Sequence, residues 1–88
     1  MVRRRVVVSG RVQGVWFRES CRREADAHGV RGFVANRADG RVEAAFEGEP
    51  GAVQALVSWC RRGPSRAEVI SVEVHDEEPQ GERGFRVR

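Results

Sequence analysis

The most restrictive feature of this sequence is a pair of predicted helices, each with a single apolar stripe. Residues 18–28 place their apolar side chains at helical spacing, and Gly29 supplies a stop at their end. The second helix is expected to begin with Pro50 in a favoured first position and to end at Gly63 and Pro64. The stripes consist of Phe17, Cys21, Ala25 and His28 in the first helix and of Val53, Leu56, Val57 and Cys60 in the second. Because one stripe can be buried against only one layer, we expect both helices on the same face of a sheet.

Several stretches around these helices have the composition and alternation of β-strands. Residues 5–9 are rich in valine, which is typical of a strand buried on both faces. Residues 32–36 and 41–47 flank residues 37–40, whose Asp-Gly pair is typical of a hairpin turn. Along the later of these strands, Val42, Ala44 and Phe46 alternate with Glu43, Ala45 and Glu47. This alternation predicts one dry face and one solvated face.

The last third of the chain completes the pattern. Residues 68–75 return to strand alternation, with Ile70, Val72 and Val74 expected on one side, and residues 85–88 predict a short last strand. The element order is β-α-β-β-α-β with that optional strand at the end. It predicts an α+β, ferredoxin-like two-layer sandwich in which two helices cover one face of a mostly antiparallel sheet. A chain of 88 residues has room for one core, so we expect a single domain over residues 1–88.

Arginine supplies all sixteen basic residues, because the chain lacks lysine, and tyrosine is also absent. These absences exclude a Walker-type phosphate loop, a Schiff-base lysine and a tyrosine nucleophile. Two cysteines are too few for a disulfide framework or a cysteine-only zinc site. If the two helices pack antiparallel, the ends that carry Cys21 and Cys60 could meet and form a disulfide, but we favour two buried free thiols. His28 and His75 lack partners at the spacing of metal ligands. We therefore expect neither a metal nor another cofactor.

The charge pattern and the hydropathy pattern bear on partners and location. The net charge is only +3, and acidic residues are interspersed with the arginines. The basic runs at residues 3–5 and 61–62 are shorter than a usual nucleic-acid patch and predict solvated surface. No apolar stretch is long enough for a signal peptide or a membrane span. We expect a cytoplasmic monomer that engages neither nucleic acid nor a membrane.

The segment that says most about chemistry is the loop between the first strand and the first helix, Gly10-Arg-Val-Gln-Gly-Val-Trp-Phe-Arg18. A glycine-containing loop at a strand-to-helix junction can direct several backbone N–H groups into one concavity, and the helix start adds further unpaired N–H groups. Arg18 lies at that helix start, where its planar guanidinium can hold two oxygens of a phosphate. The loop alone leaves a second interpretation open, a tight turn beside a surface arginine.

Asn36 is the only asparagine of the chain, and it ends the second strand immediately before the hairpin turn. Taken alone, an asparagine at this place most often bonds to its own backbone in the turn. Taken together with the loop, its amide both donates and accepts, so it can orient a water molecule toward a phosphorus atom. The residues by themselves leave both roles open.

Two motifs of this chain resemble the two signatures of one family. Gly10 to Arg18 is similar to the signature of the acylphosphatase family, and residues 32–43, Gly-Phe-Val-Ala-Asn-Arg-Ala-Asp-Gly-Arg-Val-Glu, resemble its second signature at the expected separation. The similarity covers nearly the whole chain, including the closing residues 84–87. The family hydrolyses the carboxyl-phosphate anhydride of acyl phosphates without a metal. The resemblance thus implies a small-molecule acyl phosphate as substrate and inorganic phosphate as a product.

The resemblance also implies roles for individual residues. Arg18 matches the phosphate-binding arginine of the family, and Asn36 matches the asparagine that positions the attacking water. The phosphate cradle is implied to be the backbone N–H groups of Val12, Gln13, Gly14, Val15, Trp16 and Phe17. Neither motif holds a suitable base, and Glu19, which is near in sequence, is more typical of an acid that stabilises the first helical turn. Trp16 occupies a variable position, and Ala35 stands where many relatives carry a basic residue, so both bear on substrate preference.

Two other interpretations compete with this one. Residues 60–66 fit the C-x-x-G-x-x-R spacing of cysteine phosphatases, in which a thiolate attacks phosphorus. Such a cysteine faces a helix N-terminus, whereas Cys60 closes an apolar helical stripe and faces the negative C-terminal end. An RNA-binding module of the same fold class is the alternative function, and it requires exposed aromatic side chains on the central strands. Residues 5–9 have none, and residues 41–47 have only Phe46, on the apolar face.

Overall fold

The structure, a computed structural model, describes residues 1–88. Its elements are β1 (Val2–Arg11), α1 (Phe17–Ala27), β2 (Arg31–Asn36), β3 (Val42–Gly48), α2 (Pro50–Cys60), β4 (Glu68–Glu77) and β5 (Phe85–Val87). The strands form one sheet in the order β4-β1-β3-β2-β5. All neighbouring strands are antiparallel except β2 and β5, which are parallel. The predicted ferredoxin-like, two-layer α+β fold is confirmed, and the short last strand is present.

The core lies between the sheet and the two helices. The sheet contributes alternate residues of its inner strands, namely Val6, Val8, Val34, Val42, Ala44 and Phe46. The helices contribute the predicted stripes except for His28, which is exposed because α1 ends at Ala27. The Phe17 ring packs edge-on against the Trp59 ring, with centroids 5.1 Å apart, and so joins α1 to α2. Each helix has 11 residues, and neither is long or apolar enough to cross a membrane.

Strand β1 is longer than the sequence pattern predicts. It begins at Val2 and continues through Gly10, which we expected to break the strand. Gly10 instead forms part of a β-bulge with a φ of 126°, and a Cβ atom there would lie 2.1 Å from the carbonyl oxygen of Glu68. Only a glycine allows the β1 and β4 backbones to approach this closely.

The same bulge decides the orientation of Ile70. Ser9 pairs with Ser71 and Gly10 pairs with Val69, so that Ile70 has no partner on β1. The Ile70 side chain is 82% exposed, whereas Val72 and Val74 pack against the core. The prediction that Ile70 shares a face with those two valines is therefore wrong, because a bulge shifts the alternation of the strand by one residue.

The sheet face opposite the helices is only partly solvated. Glu47 is 1% exposed and Arg3 is 5% exposed, although the sequence placed both on solvated surface. Ala45, on the same face, is fully buried as well. These predictions are wrong because strand alternation shows which residues share a face but not what covers that face.

The loop between β4 and β5 supplies the cover. The N–H groups of Gln80, Gly81 and Glu82 donate to the carboxylate of Glu47 over 2.7, 2.8 and 3.0 Å. Arg3 donates to the carboxylates of Glu47, Glu77 and Glu82 over 3.2, 2.9 and 3.0 Å. We call Arg3, Glu47, Glu77 and Glu82 the Arg3 ion cluster, of which Arg3 and Glu47 are buried. It fastens the loop to the sheet and thereby fixes the start of β5.

Candidate active site

The loop between β1 and α1 leaves a continuous run of backbone N–H groups without protein acceptors. Gly14 has a φ of 74°, and Trp16 has a φ of 66°, the only positive φ at a residue other than glycine. The first bond of the helix is donated by the Ser20 N–H to the carbonyl oxygen of Trp16 over 3.0 Å. The N–H groups of residues 12–19 donate to no protein acceptor. They lie at a helix N-terminus, where unpaired N–H groups and the helix dipole favour an anion.

Buried side chains hold this loop against the core. Val12, Val15 and Phe17 are buried, while Gly14 and Trp16 between them are exposed. Anchoring at Val12, Val15 and Phe17 keeps the loop backbone from moving independently of the sheet and α1. The unpaired N–H groups are therefore held in place before any ligand binds.

Gln13 fastens the loop to the hairpin that follows Asn36. Its Nε2 atom donates to the carbonyl oxygens of Arg37 and Arg41 over 2.8 and 2.9 Å. Both carbonyls belong to the turn between β2 and β3. The Gln13 side chain thus sets the distance between the loop and the end of β2, which carries Asn36.

Arg18 is half-buried in the first turn of α1. Its Nη1 atom donates to the main-chain oxygen of Arg88 over 2.7 Å. The neighbouring carboxylate, Glu19, pairs with Arg22 instead. A guanidinium has five N–H donors, so Arg18 retains most of them for a ligand.

Asn36 ends β2 with an exposed side chain whose amide bonds to no other protein group. The turn that follows is closed without it, because Arg37 N–H donates to the Arg41 carbonyl oxygen over 2.8 Å. Asp39 supports the turn by accepting from the Arg41 N–H over 3.1 Å. The bonds from Arg41, followed by those from Arg37, hold the pKa of Asp39 well below its usual range. Because other groups close the turn, the Asn36 amide keeps its donors and acceptor free.

Arg18 and Asn36 line one cleft with a volume of about 340 Å³. The cleft is lined by Val12, Gly14, Trp16, Phe17, Arg18, Glu19, Asn36 and Val87. Two of the predicted binding residues, Gln13 and Val15, do not line it. The Gln13 side chain bonds to the hairpin and the Val15 side chain packs in the core, so neither side chain reaches the cleft.

Val87 and Arg88 adjoin the cleft, and the sequence did not point to either. Val87 pairs with Val34 because β5 runs parallel to β2, and Arg88 N–H donates to the Val34 carbonyl oxygen over 2.8 Å. The Arg88 guanidinium lies 3.9 Å from the centroid of the Phe33 ring. No local motif marks these positions, since the parallel pairing of a short strand is a long-range contact.

Glu19 lines the cleft but is poorly suited to act as a base. Its carboxylate accepts from Arg22 and pairs with Arg23. The hydrogen bond from Arg22 outweighs the opposing effect of burial and lowers the pKa of Glu19. A carboxylate held ionised by two arginines is a weak proton acceptor.

No group of three or more His, Cys, Asp or Glu side chains is arranged to hold a metal ion.

The geometry argues against the cysteine-phosphatase interpretation. Cys60 is the last residue of α2 and is fully buried in the core, as is Cys21, and both thiols are free. Burial, followed by contact with Cys60, raises the pKa of the Cys21 thiol. A nucleophilic cysteine requires an accessible thiolate near positive charge, which a fully buried Cys60 does not provide.

The RNA-binding alternative is also not favoured. It requires exposed aromatic side chains on the central strands, and the aromatic residue of β3, Phe46, is fully buried. Phe33, on β2, is half-buried and covered by the Arg88 guanidinium. No exposed aromatic platform therefore remains on this sheet for stacking bases.

Comparisons with known proteins agree on one family. The family model described as Acylphosphatase matches residues 4–87. A protein named acylphosphatase from Rubrobacter xylanophilus is 60% identical over 85 residues, covering 96% of this chain and 77% of that protein. An acylphosphatase from Roseiflexus sp. is 58% identical over 88 residues, covering 99% and 95% of the two chains. The crystal structure of acylphosphatase from Bacillus subtilis matches with a TM-score of 0.97 at 37% identity, covering 100% of this chain and 99% of that one.

Proposed function

Since this chain belongs to the acylphosphatase family, we propose that Arg18 and the loop N–H groups bind the phosphoryl group of an acyl phosphate and that Asn36 positions the attacking water. The family that the two sequence motifs indicated is confirmed. The protein is an enzyme, and its reaction is the hydrolysis of the carboxyl-phosphate bond of a small-molecule acyl phosphate to a carboxylate and inorganic phosphate.

The observation that supports these roles is that three kinds of unpaired hydrogen-bonding group lie at one cleft. The N–H groups of residues 12–19 have no protein acceptor, most donors of the Arg18 guanidinium are free, and the Asn36 amide has no partner. A phosphoryl group carries negative charge on its non-bridging oxygens, which such donors can stabilise as that charge redistributes in the transition state. Because the donors are already held by the core, little reorganisation is needed when the reaction occurs.

In the proposed reaction, the oxygen of a water molecule held by Asn36 attacks phosphorus in line with the bond to the acyl oxygen. That bond breaks, and its electron pair leaves with the carboxylate, which needs no protonation by the protein. The proton of the water passes to a phosphoryl oxygen, since Glu19 is already paired with arginines. The protein contributes charge stabilisation and orientation, which are the main requirements of phosphoryl transfer.

The main-chain oxygen of Arg88 has a positioning role in this proposal. By accepting from Nη1 of Arg18, it fixes the direction of the guanidinium and leaves the other N–H donors for the phosphoryl group. Arg88 is in turn held by its own N–H bond to Val34 on β2. The end of β5 thereby ties the orientation of Arg18 to the strand that carries Asn36.

The experiment that tests these roles is hydrolysis of benzoyl phosphate in excess EDTA by the wild type, Arg18→Gln and Asn36→Ala. We expect Arg18→Gln to lower kcat/KM by about 10²–10³-fold, by analogy with the loss of one oxyanion donor. Asn36→Ala should lower kcat by about 10²-fold, because the water loses its orientation. Arg31→Gln, which removes an exposed charge at the opposite end of β2, is the matched control and should keep wild-type rates. Wild-type turnover by Arg18→Gln, or loss of wild-type activity in EDTA, would overturn the proposal.

We also propose that the enzyme is a cytoplasmic monomer, a single domain over residues 1–88 that acts without a nucleic-acid or membrane partner and without a cofactor. Two buried free thiols suit a reducing compartment. The edge strand β4 carries Glu68, Glu73 and Asp76, and such charges oppose pairing with the edge of another chain. Light scattering after gel filtration should give the mass of one chain, and the mass of a dimer would contradict the monomer.

A further inference from the structure

A second cavity lies on the sheet face opposite the helices, and its wall is rich in arginine. The cavity has a volume of about 430 Å³, which is within the range of small-ligand clefts, ~300–1,000 Å³. It is lined by eight residues, of which only Phe33 is hydrophobic. Four of the eight are arginines, namely Arg3, Arg83, Arg86 and Arg88. We call this space the outer cavity.

Strand β5 separates the outer cavity from the cleft described above. Val87 pairs with the core residue Val34 and lines the cleft. Arg86 pairs with Phe33, and strand alternation places these two side chains on the opposite face of the sheet, where both line the outer cavity. No residue lines both spaces. A ligand of the outer cavity is therefore not in contact with the groups that face the cleft.

Arg3 presents unpaired donors to the outer cavity although the side chain is 95% buried, being 5% exposed. Its three bonds to carboxylates use Nε and Nη1, so the two N–H groups of Nη2 have no protein acceptor. The one side-chain polar atom that is both fully enclosed and unpaired is Nε of Arg5, so Nη2 of Arg3 is reached by solvent. The carboxylates fix this guanidinium in place, with its free edge at the cavity wall.

The other three arginines are exposed and carry charge that the protein leaves largely uncompensated. Arg83 and Arg88 pair with no carboxylate. The Arg88 guanidinium lies 3.9 Å from the centroid of the Phe33 ring, a contact that holds it without using its N–H groups. Arg86 has one long bond, 3.4 Å, to Glu82.

Glu82 is the acidic residue of the cavity wall, and its charge is already compensated. One of its carboxylate oxygens accepts from Arg3 over 3.0 Å, and the other accepts from Arg86. The positive charge of the outer cavity therefore exceeds its negative charge, mainly because of Arg83, Arg86 and Arg88. Such an excess, above a fixed and buried donor, is complementary to an anion.

We propose that the outer cavity is a second anion site and that its ligand class is an oligophosphate, a chain of two or more linked phosphoryl groups. Guanidinium groups match the oxygens of phosphate in geometry and charge. The donors stand on four separate side chains, which a chain of phosphoryl groups can contact together and a single phosphate cannot. The Phe33 ring is already covered by Arg88, so no aromatic face remains for a base, and the phosphate chain itself supplies the contacts.

The test is calorimetric titration with tripolyphosphate in an Arg18→Gln background, which weakens anion binding at the cleft. Arg83→Gln/Arg86→Gln removes two exposed arginines and should lower the affinity about tenfold, as expected for two charge-assisted contacts at a surface. Arg61→Gln/Arg62→Gln, which removes two exposed arginines directly after α2, is the matched control and should keep the affinity within about twofold, because charges distant from the cavity are screened at ~0.15 M salt. Equal losses in the two double variants would overturn the site.

The choice of ligand and the place of binding need two further measurements. Orthophosphate should bind at least about tenfold more weakly than tripolyphosphate, and adenosine triphosphate should bind no more tightly than tripolyphosphate. A clear preference for the nucleotide would contradict the assignment to a phosphate chain.

Nuclear magnetic resonance locates the ligand, because tripolyphosphate should shift the backbone N–H signals of residues 80–88 in the same Arg18→Gln background. The largest shifts at residues 12–19 would place the anion at the cleft and overturn the proposal. Both measurements are made without turnover, so their outcome does not depend on the roles proposed for Arg18 and Asn36.

Discussion

Two loops of this protein present successive backbone N–H groups, and they differ in what those groups bind. The N–H groups of Gln80, Gly81 and Glu82 converge on the carboxylate of Glu47, an anion that belongs to the chain itself. Those of residues 12–19 bind no acceptor of the chain. The first loop shows that short N–H bonds of 2.7–3.0 Å to a carboxylate can be assembled in this fold. The second segment has the same kind of donor without a protein acceptor.

The arginines beside the two loops differ in the same way. Arg3 is buried and donates to three carboxylates, and these bonds outweigh the effect of burial and raise its pKa. Arg18 is half-buried and donates to a single protein acceptor, the main-chain oxygen of Arg88. An arginine that is buried among three carboxylates stabilises the fold, whereas one with free donors at a cleft is available to a ligand. We therefore expect replacement of Arg3 to lower mainly stability and replacement of Arg18 to lower mainly activity.

The largest expected effect follows from removing Arg3. Arg3→Met leaves three carboxylates without their shared cation, and breaking a buried ion pair in this way costs about 3–5 kcal/mol of unfolding free energy. Urea denaturation measures this loss, and Arg18→Gln provides the contrast, with a change below about 1 kcal/mol. Equal stability losses for the two variants would remove the distinction between the arginines.

Replacing Glu47 is expected to have the next largest effect. In Glu47→Gln the side chain loses its charge and presents an amide NH₂ to N–H donors, which should cost about 1.5–3 kcal/mol. Glu43→Gln, on the same strand and the same face but nearer to solvent, should cost less than about 1 kcal/mol. Urea midpoints for both variants check the difference. Indistinguishable midpoints would show that the loop does not depend on the Glu47 carboxylate.

The pH dependence of stability sharpens the comparison further. Burial acts to raise the pKa of Glu47, but the N–H bonds from Gln80, Glu82 and Gly81 and the bond from Arg3 together lower it. Between the two pKa values the unfolded chain binds more protons at Glu47 than the folded chain does. The contribution of Glu47 to the free energy of unfolding is therefore fully present above the unfolded pKa of about 4.5, and it is lost as pH falls through the lower, folded pKa. Between pH 6 and pH 3, thermal unfolding should depend less steeply on pH in Glu47→Gln than in the wild type, and equal slopes would contradict this.

The smallest expected effect lies at the open loop. Gln13→Ala removes two hydrogen bonds to the hairpin without removing any loop N–H group. We expect the loop to lose about 1 kcal/mol of support, so that substrate binding must order it. This energy corresponds to roughly a fivefold rise in KM for benzoyl phosphate. Gln54→Ala removes an exposed glutamine from α2 and serves as the control with an unchanged KM. If both variants kept the wild-type KM, the loop would be held by its buried side chains alone.

Much of the fold follows from local patterns in the sequence. The two apolar stripes, the Asp-Gly turn and the strand alternation are each contained within a dozen residues, and together they leave few arrangements besides a two-layer sandwich. Arg18 and Asn36 were predicted to act together because the motifs that contain them resemble the two signatures of one family. The structure places both at one cleft, where β2 ends and α1 begins. Their chemical roles stay predictions until the variants are measured.

Other features could not be predicted because they depend on contacts between distant segments. A bulge pairing β1 with β4 turned Ile70 outward, and no feature of residues 68–75 alone indicates it. Glu47 and Arg3 have sequence neighbours typical of an exposed strand face, yet a loop more than thirty residues later covers them. Val87 and Arg88 reach the cleft only through the parallel pairing of β5 with β2.

The sequence by itself determined the element order, the family and the position of the glycine-containing loop before α1, because these depend on spacing within short segments. Tertiary structure alone decided which polar groups are satisfied inside the molecule and which remain open to a ligand. The reason is physical: a backbone N–H or a guanidinium is equally competent in every segment, and only the distant residue brought against it determines whether its partner is the protein or a ligand. For this chain, the Glu47 carboxylate is bound within the fold, and the N–H groups of residues 12–19 have no protein acceptor.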